Sequence, residues 1–258
     1  MKGKEMNAFI KKEWMELTRT GKLLILGIIF IFFGILNPAM AKLTPWLYEM
    51  LQDQFSEQGI KVGEVTVTAM TSWTQFYKNT PILVIVMILL TSGILTGEYQ
   101  KGTLIQIVTK GLSRKKIFFS KLFISYFVWT LLYLVYTGIT WGYTAYFWGS
   151  DVPNLFYGIF MYWFFGIGII SILMFFGTLC NNSGQVMLAT GSIFFGMMLL
   201  EYIPVIKDKL PSFLMNGMNL LNETSAVSDY TGAIISTFLL ILLCDIMGLL
   251  IFDRRDLQ

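Results

Sequence analysis

The sequence predicts an all-α integral membrane protein with six transmembrane helices, on three observations. Hydrophobic residues make up 55% of the 258 residues and charged residues only 14%, whereas soluble domains hold about 25% charged residues. Six apolar stretches, at 22–41, 80–97, 117–147, 155–179, 185–203 and 232–252, approach or exceed the ~20 helical residues that cross ~30 Å of hydrocarbon. Basic residues divide unevenly: fourteen fall in the N-terminal segment, the 98–121 segment and the tail, and five in 42–79 and 204–231. Lys and Arg collect on the cytoplasmic side, so both termini are expected there. Ala39-Met40-Ala41 resembles a signal-peptidase site after the first stretch. The 22-residue basic region before it argues against cleavage, as does the odd span count that cleavage would leave.

Composition also excludes chemistry. The chain has no His, which removes His-ligated zinc or haem and His-dependent nucleophilic catalysis. Cys180 and Cys244 are too few for a thiolate metal site or a disulfide framework. The 22 Phe, 12 Tyr and 7 Trp suit lipid-facing and interfacial surface.

Residues 5–20 read as an amphipathic helix. Met6, Phe9, Ile10, Trp14 and Leu17 recur at helical spacing, with Lys11, Lys12, Glu16 and Arg19 facing elsewhere, a pattern that suits a helix lying in the membrane interface. Asn37-Pro38 marks a kink or end of the first span. In the outer segment 42–79, Pro45 opens a short helix with Trp46, Leu47, Met50, Leu51 and Phe55 on one face. The outer segment 204–231 carries Phe213, Leu214, Met215, Met218, Leu220 and Leu221. Both segments either cap the outer mouth of a pathway or rest on the leaflet. The third span exceeds the needed length and is expected to tilt or run beyond the membrane. Gly166, Gly168, Gly177, Gly191 and Gly196 allow close helix approach, and Met197 and Met198 suit either an adaptable pathway or core packing. Glu201 reads as interfacial.

The 98–121 loop is the most informative segment. Gly97 and Gly102 give the first half of a phosphate-loop pattern, but Thr103 stands where the Lys belongs, so no ATP site is expected in this chain. A topology signal explains the basic residues but not Leu104, Ile105, Ile107 and Val108, which call for a lipid or protein partner. Asp245 is the sharpest anomaly. A carboxylate near a helix centre costs about 2.5–3.5 kcal/mol on insertion scales. It reads either as a substrate or proton site, or as a structural ion pair or hydrogen bond, with Lys121 a candidate partner.

The loop resembles the ABC-2 family of ATP-binding-cassette transporter permeases. The family pattern is a Glu after the second span, Gly-Thr-Leu, a short helix, Ser-Arg, and a Lys opening the third span. Those positions are Glu98, Gly102, Thr103, Leu104, Ser113, Arg114 and Lys121 here. Lys12-Glu13-Trp14 in the N-terminal helix, the six spans and the length extend the resemblance over the whole chain. Gly111, where relatives often carry Pro, is a departure expected to matter little. The pattern is similar to small Gram-positive permeases that work with a separate ATPase, several of which export peptides or give immunity to antimicrobial peptides.

This resemblance implies one permease domain over 1–258: an elbow helix at 1–21, a six-span bundle at 22–252 and a cytoplasmic tail at 253–258. It implies a multi-pass protein of a bacterial cell membrane that exports a peptide, antimicrobial, lipid-like or other amphipathic or hydrophobic substrate. Two such chains, as homodimer or heterodimer, would bind two ATPase subunits that hold ATP and Mg. The chain itself would hold no cofactor and no metal, perform no catalysis, and bind no nucleic acid. The 98–116 loop would be the coupling helix. Leu104, Ile105 and Ile107 would supply contact area, Glu98, Arg114 and Lys115 would orient the contact, and Gly102 and Thr103 would belong to the same coupling motif. The competing reading is a proton-coupled secondary transporter that uses Asp245, although no internal repeat is evident.

Overall fold

A computed structural model describes residues 2–57, 66–109 and 111–255. Every regular element in them is helical, and six helices are long and apolar enough to cross a membrane. The order is α1 (Lys2–Arg19), α2 (Lys22–Glu57), α3 (Ala69–Thr91), α4 (Gly93–Gln100), α5 (Thr103–Thr109), α6 (Arg114–Trp148), α7 (Leu155–Leu179), α8 (Ser183–Leu200), α9 (Met218–Leu221) and α10 (Thr231–Arg254). Only Ser92 separates α3 from α4, and the two act as one span from Ala69 to Gln100.

Helix α7 matches the expected limits of the fourth span, and α6, α8 and α10 match the third, fifth and sixth within three residues. The first two run longer. Helix α2 continues through Pro38 and Pro45, so neither proline ends or opens a helix. At Pro38 the neighbouring Asn37 is fully buried in a polar lattice that holds the helix to its partners. Its amide Nδ2 donates to the Tyr136 hydroxyl and to Thr140 Oγ1, both at 3.0 Å. Its Oδ1 accepts from Asn79 Nδ2 at 2.8 Å. Tyr136 in turn donates to the carbonyl of Phe76 at 3.0 Å, and Thr140 to that of Gly34 at 3.1 Å. In hydrocarbon a buried polar group needs such partners, and this lattice fixes the packing of α2, α3 and α6. Helix α3 begins eleven residues ahead of the predicted second span because Ser72, Trp73, Phe76 and Tyr77 are buried. Ser72 bonds Thr144 of α6 at 2.6 Å.

Two groups of helices make up the bundle: α1, α2, α3 and α6 on one side, and the tightly paired α7 and α10 on the other. They meet where α6 packs on α7. A Cβ on Gly166 of α7 would lie 2.1 Å from the Trp129 ring of α6, so only glycine permits this approach. Gly168 and Gly177 similarly face Thr237 and Leu95, while Gly191 and Gly196 have no heavy atom within 4 Å of an added Cβ. The predicted close approach therefore holds for three of these five glycines.

The 204–231 segment folds into short turns, and Phe213, Leu214, Leu220 and Leu221 are buried. They pack against the chain rather than resting on lipid. Helix α1 differs in the same way from a helix floating in the interface. Phe9 and Leu17 are buried, and Trp14 meets Phe127 of α6 edge-on at 5.8 Å. Its stripe covers α6.

Candidate functional site

The densest charge cluster lies where α1, the end of α4 and the start of α6 converge. Residues Phe9, Glu13 and Leu17 are four apart and share one face of α1, so the face that buries the apolar pair also buries Glu13, at 5% exposure. Lys121 is 1% exposed and Glu98 is 4% exposed. Lys121 Nζ lies 2.7 Å from Glu13 Oε2 and 3.2 Å from Glu98 Oε1. Lys12 Nζ contacts Glu98 Oε1 at 2.5 Å, and Glu13 Oε1 and Glu16 Oε2 each at 2.9 Å. The three carboxylates converge within 4.8 Å, and the Lys12 ammonium is bonded to all of them. A buried charge persists only when paired, so this network locks three segments that are distant in sequence.

Burial alone pushes the Lys12 ammonium toward a lower pKa. The bonds to Glu98 and Glu16 and the charge of Glu13 outweigh it and hold Lys12 above the ordinary lysine range. Burial likewise pushes Glu16 up, but the Lys12 bond and charge leave it below the ordinary carboxylate range.

The network corrects two expectations. Glu98 does not face outward to orient a partner; it is buried between two lysines. Lys121 does not pair with Asp245. Lys121 and Tyr126, five residues apart on α6, point about 140° apart at 3.6 residues per turn, and it is Tyr126 that faces α10. Its hydroxyl donates to Asp245 Oδ2 at 2.9 Å and lies 2.5 Å from Ser171 Oγ of α7. Asp245 Oδ1 is buried without a hydrogen-bond partner among the described residues. Of the two structural readings, the hydrogen bond replaces the ion pair.

Helix α5 follows directly from the network. Gly102 and Gly111, at its two ends, have φ of +64° and +94°, the left-handed region that glycine adopts without strain. Proline, fixed near −65°, cannot replace Gly111 in this turn, so the departure from the family pattern has a structural consequence. Leu104 is 1% exposed and Ile105 40%. Leu104 therefore anchors α5 to its own chain, which corrects its assignment as partner contact, and Ile105 is presented outward. The side chain of Ile107 lies outside the described residues. Thr103 Oγ1 reaches back to the Glu98 carbonyl at 3.5 Å.

A second clamp holds the other side of the loop. Arg114 donates to the carbonyls of Asp253 and Arg255 at 2.9 and 2.6 Å, and Lys115 lies 3.7 Å from Asp253 Oδ2. These two also serve the chain's own tail. Arg255 donates to the carbonyls of Thr178 and Cys180 at 2.5 and 3.0 Å and to Asn181 Oδ1, and its guanidinium lies over the Tyr99 ring at 4.1 Å. The tail thus pins the α7–α8 turn beside the base of α4.

A family profile described as ABC-2 family transporter protein matches residues 7–257. The chain belongs to the ABC-2 family. It is a transmembrane transporter subunit and a multi-pass membrane protein. A search of curated proteins found no match. The ABC-2 residues Glu98 and Lys121 are in contact, and Glu13 of Lys12-Glu13-Trp14 joins them. Lys12, Glu13 and Arg255 are the partners that spacing did not single out. An acid in the apolar stripe of α1 is the signal that marks Glu13.

Proposed function

We propose that this ABC-2 chain is the permease of an exporter driven by a separate ATPase, with α5 as the coupling helix. The observation that supports this most directly is the buried network of Lys12, Glu13, Glu98 and Lys121 at the root of α5. A push on α5 moves the base of α4, and through the network α1 and α6 move with it. A rigid-body response of this kind is what an ATP-driven population shift requires. On this reading two permease chains pair, as homodimer or heterodimer, and two ATPase subunits carry the ATP and Mg. Both termini, α1 and α5 lie in the cytoplasm, α1 as the elbow helix. The cargo leaves a bacterial cell outward, and the apolar spans suit an amphipathic or hydrophobic cargo such as a peptide, an antimicrobial or a lipid.

The docking contact falls to the outward side of α5. Ile105→Asp is expected to abolish co-purification of the ATPase while the permease keeps its elution volume and melting temperature. Retained ATPase with a folded variant would reject α5 as the docking helix. A second reading draws on the unpartnered Oδ1 of Asp245: a proton-coupled transporter that needs no ATPase. Transport by the chain alone, driven by a proton gradient, would establish it.

A further inference from the structure

The end of the bundle opposite the termini holds a half-open surface cavity of about 560 Å³, within the range of about 300–1,000 Å³ typical of small-molecule clefts. Phe195, Met198 and Leu199 form one wall, Glu201 and Tyr202 follow where α8 ends, and Asn216 closes it from the turn after Pro211–Met215. The first three share a helix face by their spacing. Among the described lining residues Glu201 is the single charge.

The polar corner is held in place. Asn216 Nδ2 donates to Glu201 Oε1, and the Asn216 backbone carbonyl accepts from the Tyr230 hydroxyl at 2.7 Å. Ser212 Oγ donates to the Met197 carbonyl at 3.1 Å, which ties the same turn to α8. With its amide group turned to Glu201, Asn216 reinforces the carboxylate rather than offering a separate donor, so the corner attracts positive charge. Lys207 and Lys209, the nearby cations in sequence, do not line the cavity.

We infer that this cavity binds an organic cation with an apolar body. An ammonium or guanidinium sits at Glu201, hydrocarbon lies along Met198 and Leu199, and the rings of Phe195 and Tyr202 attract the cation through their faces. An anionic body of the same size meets Glu201 as a like charge. As the seat of exported cargo the cavity rests on the exporter reading; binding itself does not, and it is measured on the permease alone.

The experiment is a fluorescence titration of the full chain in zwitterionic-lipid nanodiscs, with empty nanodiscs subtracted. The probes are rhodamine 6G, a fixed cation, and eosin Y, an anion of similar size. Saturable binding of rhodamine 6G but not of eosin Y is expected, with affinity falling about tenfold or more in Glu201→Gln through loss of a charge-assisted contact. Leu199→Lys, at a position 69% exposed where little packing is lost, is expected to expel rhodamine 6G and admit eosin Y. Equal binding of the two dyes, no saturable binding, or unchanged affinity in folded Glu201→Gln and Leu199→Lys chains would overturn the assignment. ATPase co-purification, scored separately, judges the exporter reading and leaves the dye result standing.

Discussion

At single residues, the terminal end of the bundle is held by charges kept out of water. Lys121 and Glu13 are both nearly inaccessible, and removing one partner of a buried pair costs about 3–5 kcal/mol because the other is stranded. Lys121→Met is therefore expected to lower the melting temperature of the purified chain markedly, and an unchanged melting curve would show that the pair is not buried. The pH dependence follows from the signs. The raised pKa of Lys12 supplies stability that is present below the ordinary lysine pKa of about 10.4 and is lost as pH rises beyond it. The lowered pKa of Glu16 supplies stability that is present above its ordinary value of about 4.3 and is lost as pH falls beneath it. Thermal stability should thus show no step from these two groups between about pH 5 and 10, and a midpoint near neutrality traced to either by substitution would contradict the network. Asp245 has a hydroxyl, not a cation, as its partner. Asn keeps an acceptor for Tyr126 and carries no charge to bury, so Asp245→Asn should fold and transport as the parent does. Loss of transport by a folded variant would move Asp245 into the pathway.

Elements were legible in proportion to how far local pattern decides them. Helix α7 is apolar throughout, and its limits follow from hydropathy alone. The ends of α2 and α3 did not follow, because Asn37 and Ser72 are polar in sequence yet buried, and Asn79 half-buried, by partners on other helices. Similarly, Glu13 and Glu98 meet Lys121 across more than twenty residues of chain, a contact no helical spacing encodes. The candidate coupling residues were found as a group, but their directions were not: Leu104 and Ile105 are equally apolar in sequence, and only packing turns one inward. Helix α5 is short, and its closing turn depends on the φ of +94° at Gly111. Gly111→Pro should therefore displace the helix and lower ATP turnover of the assembled transporter by tenfold or more on the order of a lost docking geometry, while the six spans remain folded. Turnover equal to the parent would show that the turn does not set the position of α5.

On the scale of the whole molecule, two fasteners hold the terminal end, one within the first helix group and one between the two groups. The buried network ties α1, α4 and α6, and Arg114 and Arg255 tie the loop, the tail and the α7–α8 turn. Both fasteners flank α5. A force applied there reaches both groups, which is the arrangement an ATP-driven permease of the ABC-2 family needs. The opposite end is packed by the 204–231 segment against α7, α8 and α10, with the Glu201 cavity beside it. On the proposed function, this chain moves its cargo only through an ATPase seated on α5. The most direct measurement is co-expression with a candidate ABC ATPase subunit from the same organism, followed by vanadate-sensitive ATP turnover of the purified complex in lipid. A stable complex with such turnover is expected. A chain that purifies alone, and that transports in response to a proton gradient without ATP, would contradict it.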